Sequence, residues 1–294
     1  MESTRLHPDF GVSIAGVDLN AVTAEAGYPE IRAAFEEHSV LLFPNQHLDD
    51  EAQLAFARLF GPLEDRIERP APKIAPLSNR KEDGSVAATD DMKTLSLKAN
   101  QLWHTDSTFL PVPALANVLQ ARTVTSTGGE TEFASTRAGW QRLTSAQQDR
   151  ARGAFLWHRF SHSRARIDPD LARQPEITKW KAECWRAVWP NPVNGAEAIY
   201  VASHAFAVEG MDQAEGAAFI DELIAAMTPP EAIYTHRWSP GDVLLWDERA
   251  TLHRGLPWPY AEERTLVSIC VTATPADGLA TVSRDGGLPV WPAR

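Results

Sequence analysis

Cysteine is scarce in this chain: Cys184 and Cys270 are the only two in 294 residues. Two thiols so far apart make neither a disulfide framework nor a zinc-ribbon spacing. Two buried thiols in a reducing compartment are expected instead. No apolar run approaches the roughly 20 residues that a membrane-spanning helix needs. The opening residues, Met-Glu-Ser-Thr-Arg-Leu-His-Pro, contain no apolar segment of a secretory signal, so a cytoplasmic protein is expected. Positive charge is in deficit, with 28 Lys and Arg against 39 Asp and Glu, a net charge of −11. That balance argues against nonspecific attachment to nucleic acid or to anionic membranes, while leaving room for a locally basic pocket. There is no G-x-G-x-x-G or Walker A pattern to support a nucleotide-binding doubly wound sheet. Repeats and low-complexity segments are missing too.

What is present is ordinary globular material, 44% apolar and 23% charged, enough to bury a large core. One domain over residues 1–294 is expected, its core spanning roughly 10–275. Gly11 to Leu19 alternates apolar and polar and reads as a strand with a turn. Ser39–Pro44 is a short buried strand. Asp49 or Asp50 then caps a helix, with Leu54, Phe56, Ala57 and Phe60 at helical spacing, ending near Gly61-Pro62. Residues 63–98, rich in proline early and in charge late, read as a loop that would close over a site as a lid. Strands are expected at Ala116–Thr125, Ile199–Ala202, Val243–Trp246 and Leu266–Thr272. One or two helices fall in Thr136–Arg152, and an amphipathic one in Asp212–Met227. Many short strands with helices between them suggest a mainly β fold with flanking helices, a sandwich or jelly roll.

The chemistry concentrates in His104-Thr-Asp106. Residues i and i+2 of a strand share a face, so one short segment can aim an imidazole and a carboxylate at one point. Alone, the pair also fits a strand-end histidine beside a solvated aspartate. Context strengthens it. Gly241-Asp-Val-Leu-Leu-Trp-Asp247-Glu-Arg249 reads as a turn, an apolar strand and a polar turn that lead to His253. Two histidines and one carboxylate on one side of a metal leave the opposite positions open, the arrangement of non-haem Fe(II) oxygenases. Those positions would take dioxygen and a bidentate 2-oxo acid. Arg264, eleven residues after His253, could hold the far carboxylate of that acid, because a guanidinium fork fits a carboxylate well. Away from His253 it would read as a surface arginine at a strand end.

The stretches NQLWHTDSTF (100–109), GGETEF (128–133), GDVLLWDERATLHR (241–254), Arg264 and Ser39–Pro44 together resemble the taurine dioxygenase / 2,4-dichlorophenoxyacetate dioxygenase family, which is Fe(II)- and 2-oxoglutarate-dependent. NQLWHTDSTF is most similar to the branch that acts on phenoxyalkanoate herbicides. The resemblance implies a double-stranded β-helix and a small-molecule substrate, hydroxylated with release of succinate and CO2. It implies His104, Asp106 and His253 as iron ligands, Thr131 as a hydroxyl contact to 2-oxoglutarate and Arg264 as its distal-carboxylate clamp. Thr131 by itself would read as an ordinary turn-to-strand threonine. Asp106 in this position disfavours halogenation, since related halogenases carry a small residue there.

One departure stands out. Members that oxidise taurine or phenoxyacetates carry a second arginine four residues after the cosubstrate arginine, where this chain has Ser268. Alternation keeps Ser268 on the face of Arg264 but brings no charge. Either the substrate is neutral or its anion is held elsewhere. Lys93, Lys98, Arg159, Arg164 and Arg166 are the candidates, each of which also reads as a solvated surface charge. Asn100 matches a substrate-contacting asparagine of the family. Trp180, Trp185 and Trp189 could line an aromatic pocket, pack in the core or form a subunit contact; a homo-oligomer stays open. A second class also stays open, a metal-dependent hydrolase or isomerase on a cupin-like jelly roll. Arg264 and Thr131 separate the two, because hydrolysis has no use for a 2-oxo-acid clamp.

Overall fold

The architecture follows from runs of residues that are apolar on both sides of the pleat. In a computed structural model, which describes residues 1–65 and 74–286, these runs form the middle of a seven-stranded sheet. Its order is Glu2–Arg5, Val12–Ala15, Val40–Phe43, Val243–Asp247, Ala114–Thr123, Thr265–Thr272 and Ala75–Ser78. Neighbours are antiparallel except Val12–Ala15 and Val40–Phe43, which run parallel. Opposite lies a three-stranded antiparallel sheet, Ile233–His236, Thr131–Ser135 and Thr251–Gly255.

Period-2 alternation sorts the central strands into two packing faces. Val118, Val243, Leu245 and Ile269 point one way, against Ile31, Phe35, Leu54 and Phe56. Those four belong to two covering helices, Tyr28–His38 and Asp50–Arg58. Leu119, Leu244, Trp246 and Leu266 point the other way and meet Phe133 of the small sheet. Both faces of the large sheet are thus covered, which is why its strands lack a polar side. Asp49 accepts from the Ala52 amide at 2.8 Å and starts the second covering helix, the cap expected at that residue. Strand Ala114–Thr123, the helix pair Thr136–Arg142 and Ser145–Arg152, and helix Gln213–Met227 capped by Asp212 match the sequence reading. So do strands Val243–Asp247 and Thr265–Thr272.

Three expectations need correction. Residues 63–98 are not one long loop: Ala75–Ser78 pairs with the Thr265–Thr272 strand, and Met92–Ala99 is a helix capped by Asp91. Proline at 76 is tolerated because this strand lies at the sheet edge. The part of that expectation on residues 66–73 lies outside the described residues. The strand expected at Ile199–Ala202 ends where it was to begin, spanning Glu197–Ile199. A fully buried apolar run gives no periodicity to mark where pairing stops. Last, His104 and Asp106 do not share a strand. His104 forms a single bridge to His253, and Asp106 lies in the turn that follows. Among the described residues no helix is long and apolar enough to cross a membrane.

A buried ionic knot ties the strand Val243–Asp247 to the helix Tyr28–His38. Arg249, 2% exposed, donates to both oxygens of Asp247 at 2.9 Å and to Glu36 at 2.7 Å. Asn191 donates to the same Glu36 carboxylate at 2.6 Å. Burial by itself would raise the Glu36 carboxyl; Arg249, the Asn191 bond and Arg32 outweigh it and hold the group below its ordinary value of 4.5. Removing one partner leaves a buried charge uncompensated, so Glu36→Gln is expected to cost about 3–5 kcal/mol in urea unfolding at neutral pH. A folded-state pKa below the unfolded one stabilises above the unfolded value and is lost as pH falls through the folded one. The difference between wild type and Glu36→Gln should therefore shrink in acid. A difference that grows below pH 4.5 would contradict the assignment.

Candidate active site

The site lies between the two sheets, in a cavity of about 660 Å³. His253 sits mid-strand in Thr251–Gly255, directly across from Phe133. Its backbone exchanges two hydrogen bonds with His104, amide to carbonyl at 2.9 and 3.0 Å. Such a pair brings its Cα atoms close together, and here the two ring centroids stand 4.2 Å apart. His104 is fixed further by its Nδ1, which lies 2.7 Å from the Leu102 carbonyl. Donation from Nδ1 to that carbonyl leaves Nε2 with a lone pair. After His104 the chain turns sharply through Ser107, at φ 61°, and Ser107 Oγ donates to the Glu64 carboxylate. Asp106 itself begins the turn, and a turn, not a strand alternation, carries its carboxylate beside the two rings.

The result is a cluster of three side chains whose ligand atoms all lie within 4.8 Å of one another. His104 Nε2 is 3.7 Å from one Asp106 oxygen and His253 Nε2 is 3.8 Å from the other. Those separations are too long for hydrogen bonds. They suit a cation that all three groups bind at once. The imidazoles are prepared for it. Burial lowers the His104 pKa, with Asp106 opposing. Burial and the neighbouring His104 push His253 down to about 3. Both rings are therefore neutral ligands at physiological pH.

A polar chain behind the carboxylate holds it in place. The Asp106 amide donates to Glu248 at 2.9 Å. Asn117 Nδ2 donates to Asp106 Oδ2 at 2.7 Å, and Ser268 Oγ donates to Asn117 Oδ1 at 2.9 Å. Ser268 lines the cavity as alternation required, but its hydroxyl is turned to Asn117. Nothing in the sequence pairs Asn117 with Asp106; the link exists because strands Ala114–Thr123 and Thr265–Thr272 are neighbours with one face toward the site.

Arg264 enters the same cavity from the start of its strand, 7% exposed. Its Nη2 and Nε donate to the Gly129 carbonyl at 2.7 and 3.2 Å, and its guanidinium lies 5.0 Å from the Trp258 ring. Burial pushes its pKa down to about 10, with Glu130 opposing, so it remains a cation at neutral pH. The GGETEF segment has its physical reason here. Gly129 has φ +74°, and a Cβ on it would stand 2.8 Å from Arg264 Nε. Only glycine lets the loop close on the arginine. Thr131 is buried at the start of its strand and accepts from Trp238 Nε1 at 2.9 Å.

Substrate candidates divide. Asn100 lines the cavity at the end of helix Met92–Ala99. Lys98 does not: its Nζ donates to the Thr89 carbonyl at 2.8 Å and lies over the Tyr260 ring. Residues two apart on a helix point about 200° apart, so Asn100 and Lys98 cannot both face the site. Of the tryptophans, Trp180 lines the cavity, whereas Trp185 and Trp189 are core residues bonded to the carbonyls of Thr108 and Asp277. Arg164 reverses the surface reading, since it is buried and lines the cavity.

Comparison with known proteins agrees with this geometry. The profile of the family described as taurine catabolism dioxygenase TauD, TfdA family matches residues 2–270. The chain belongs to the TauD/TfdA family. It is similar to the (S)-phenoxypropionate/alpha-ketoglutarate-dioxygenase of Sphingobium herbicidovorans, 34% identical over 284 residues, 94% of this chain and 96% of that one. The alpha-ketoglutarate-dependent 2,4-dichlorophenoxyacetate dioxygenase of Cupriavidus pinatubonensis is 34% identical over 269 residues, 89% and 94% of the two chains. Among solved structures, AAD-2 in complex with Mn(II) and N-oxalylglycine superposes with a TM-score of 0.87 at 31% identity, covering 93% of this chain and 98% of that one. As a TauD/TfdA protein the chain is a dioxygenase that uses Fe(II), 2-oxoglutarate and dioxygen on a small-molecule substrate. The hydrolase or isomerase alternative falls with that finding.

The relay from Ser268 through Asn117 to Asp106 predicts a metal-affinity phenotype. Residues that orient a metal ligand typically contribute about 10–100-fold to affinity. Asn117→Leu is expected to raise the Fe(II) concentration for half-saturation by about that factor. Ser268→Ala should move it in the same direction by less. Anaerobic Fe(II) titration measures both, and an unchanged midpoint in Asn117→Leu would remove the relay.

Proposed function

We propose that His104, Asp106 and His253 hold the iron, that Arg264 and Thr131 hold 2-oxoglutarate, and that the substrate is an aryloxyalkanoate or a related carboxylate. The convergence of two neutral imidazoles and one carboxylate on one point carries this reading. Fe(II) bound there would supply the oxidative decarboxylation of 2-oxoglutarate to succinate and CO2 together with hydroxylation of the substrate. The residues of the chain do the rest. His104 and His253 ligate without losing a proton, since both rings are already neutral. Asp106 offers a charge whose direction Asn117 fixes. Arg264 presents a fork braced by Gly129 and meets a carboxylate in two parallel bonds. Trp238 donates to Thr131 and so leaves the threonine hydroxyl hydrogen for an acceptor in the cavity. The apolar walls at Leu97, Phe109, Phe160 and Trp180 exclude water and match an aryl group.

The same reading places the ten strands of the two facing sheets in a double-stranded β-helix. It takes residues 1–294 as one domain, because the described core residues run from Phe10 to Val282. It also takes the protein to act in the cytoplasm, with two unlinked thiols, Cys184 and Cys270. Neither nucleic acid nor membrane enters it, and a homo-oligomer remains compatible. The substrate follows from two relatives named for phenoxypropionate and 2,4-dichlorophenoxyacetate and from the apolar side chains Leu97, Phe109, Phe160 and Trp180 on the cavity wall. Hydroxylation next to the ether oxygen would give a hemiacetal that splits into a phenol and a carbonyl product. Taurine is expected to be poor, because a small sulfonate would depend on a cation at the position of Ser268.

Two measurements test the assignment. Anaerobic Fe(II) with 2-oxoglutarate should give a weak charge-transfer band, and oxygen with a phenoxypropionate should yield succinate and a phenol in equal amounts. Asp106→Ala and His253→Ala should abolish both while the protein stays folded. Taurine turning over as fast as the best aryloxyalkanoate would sink the substrate assignment. Arg264→Ala should raise the KM for 2-oxoglutarate by the equivalent of about 2–5 kcal/mol, with little recovery in Arg264→Lys. Thr131→Val should act in the same sense by roughly 1.5–3 kcal/mol. An unchanged KM in both Arg264 variants would exclude the clamp.

A further inference from the structure

We propose that Glu248 is a positioning residue for two metal ligands at once: its carboxyl seats Asp106 through the backbone and is the acceptor for the Nδ1 hydrogen of His253 when the site is filled. The inference rests on the reading of His104, Asp106 and His253 as the metal ligands given above. The two imidazoles are not supported alike. Each ring is neutral and turns its Nε2 toward Asp106, so each must carry its hydrogen on Nδ1 in order to ligate. His104 Nδ1 has the Leu102 carbonyl at 2.7 Å. His253 Nδ1 is buried and has no hydrogen-bond partner. The carboxyl oxygen near it is Glu248 Oε2, 4.0 Å away, which is about 1 Å longer than an N–H···O bond.

Glu248 is fully buried, in the polar turn that leads to the strand of His253. Its Oε2 accepts from the Asp106 amide at 2.9 Å, while its Oε1 is buried with no hydrogen-bond partner. Trp246, two residues earlier, holds its ring 4.7 Å from that of His253. The Trp246 indole N–H is close enough to favour the charged form of the Glu248 carboxyl. One carboxyl thus faces three donors: a backbone amide, an indole and the imidazole of a ligand. A buried donor and a buried acceptor left unpaired each carry a desolvation cost, which a bond between them removes. A ligating histidine whose other nitrogen donates to an oxygen is fixed in tautomer and ring orientation, and is the more basic ligand. Burial, and after it the Asp106 charge, drives the Glu248 carboxyl well above its ordinary value of 4.5. The role holds in either charge state, because a neutral carboxyl keeps a carbonyl oxygen. Through Glu248 the main chain of one ligand and the ring of another are referred to the same side chain.

The test uses the full-length protein with Co(II) in place of Fe(II), without oxygen or cosubstrate. Absorption titration gives the metal concentration for half-saturation. Proton NMR shows the ring N–H of each histidine ligand as a hyperfine-shifted, exchangeable resonance, and wild type should show two. In Glu248→Met, half-saturation should rise by about 10–100-fold. One of the two N–H groups should exchange faster with solvent, while the other, held by the Leu102 carbonyl, is unchanged. Glu248→Gln keeps an acceptor oxygen, so it should recover most of the affinity and displace one resonance only. Unchanged affinity in Glu248→Met, or equally faster exchange of both N–H groups, would mark Glu248 as structural only and overturn the proposal. A loss in Glu248→Gln as large as in Glu248→Met would assign the effect to charge, and would overturn it too. If Glu248→Met does not fold, the Glu248→Gln spectrum decides: displacement of both resonances, or of neither, overturns the proposal. In all these cases the ligand reading stands. Co(II) affinity that survives in both Asp106→Ala and His253→Ala, or fewer than two exchangeable resonances in wild type, would overturn the ligand reading and this proposal with it.

Discussion

The two backbone hydrogen bonds exchanged by His104 and His253 hold the site together. They join residues 149 positions apart in sequence by main chain alone. The spacing of the two backbones is therefore set by peptide geometry, and the Leu102 carbonyl then orients the His104 ring. Everything else in the cluster is referred to that bridge. Asp106 leaves the bridge in a turn beside the rings, and its amide closes on Glu248. Asn117 fixes the carboxylate from the opposite sheet. A bridge one residue long also explains why the motif looks like a strand in sequence and is not one. It has the pairing of a strand at His104 and the direction change of a turn two residues later.

Local patterns made the main elements legible. The runs at 40–43, 114–123, 243–247 and 265–272 are mostly apolar, and each became a largely buried strand. Asp49 and Asp212 marked helix starts through their capping oxygens. The metal cluster was legible because its residue types are chemically distinctive and lie in recognisable stretches. The edge strand Ala75–Ser78 was not, since proline and charge gave the segment the composition of a loop. Its pairing is supplied by a strand nearly two hundred residues away. The roles of Asn117, Ser268 and Gly129 were hidden for a related reason. Each depends on which strand or loop lies next to it, and adjacency across a sheet leaves no trace in one sequence. Arg164 shows the same limit in burial: arginines of a short polar segment look alike until the fold encloses one of them.

The ionic knot of Arg249, Asp247 and Glu36 lies at the far end of the strand that precedes His253. It links that strand to the helix covering the outer face of the large sheet. Asp247, Glu248 and Arg249 follow one another, yet they face different tasks. Asp247 and Arg249 anchor the turn to the helix, while Glu248 accepts from the Asp106 amide inside the site. One polar turn thus connects the mechanical support of the fold to the position of Asp106.

Gly129 carries a further consequence. Its carbonyl takes two guanidinium nitrogens of Arg264, and its bare Cα lets the loop press against the arginine stem. The fork has a single depth in the cavity as a result. In the function proposed above, Arg264 is the far clamp and the His104/Asp106/His253 cluster the near one, and the distance between them would be a ruler cut in backbone. On that proposal it would gauge the span of a dicarboxylate, and a shorter or longer 2-oxo diacid would leave one end unmatched. The choice of cosubstrate would then belong to the loop that sets the depth of the arginine, and less to the arginine itself.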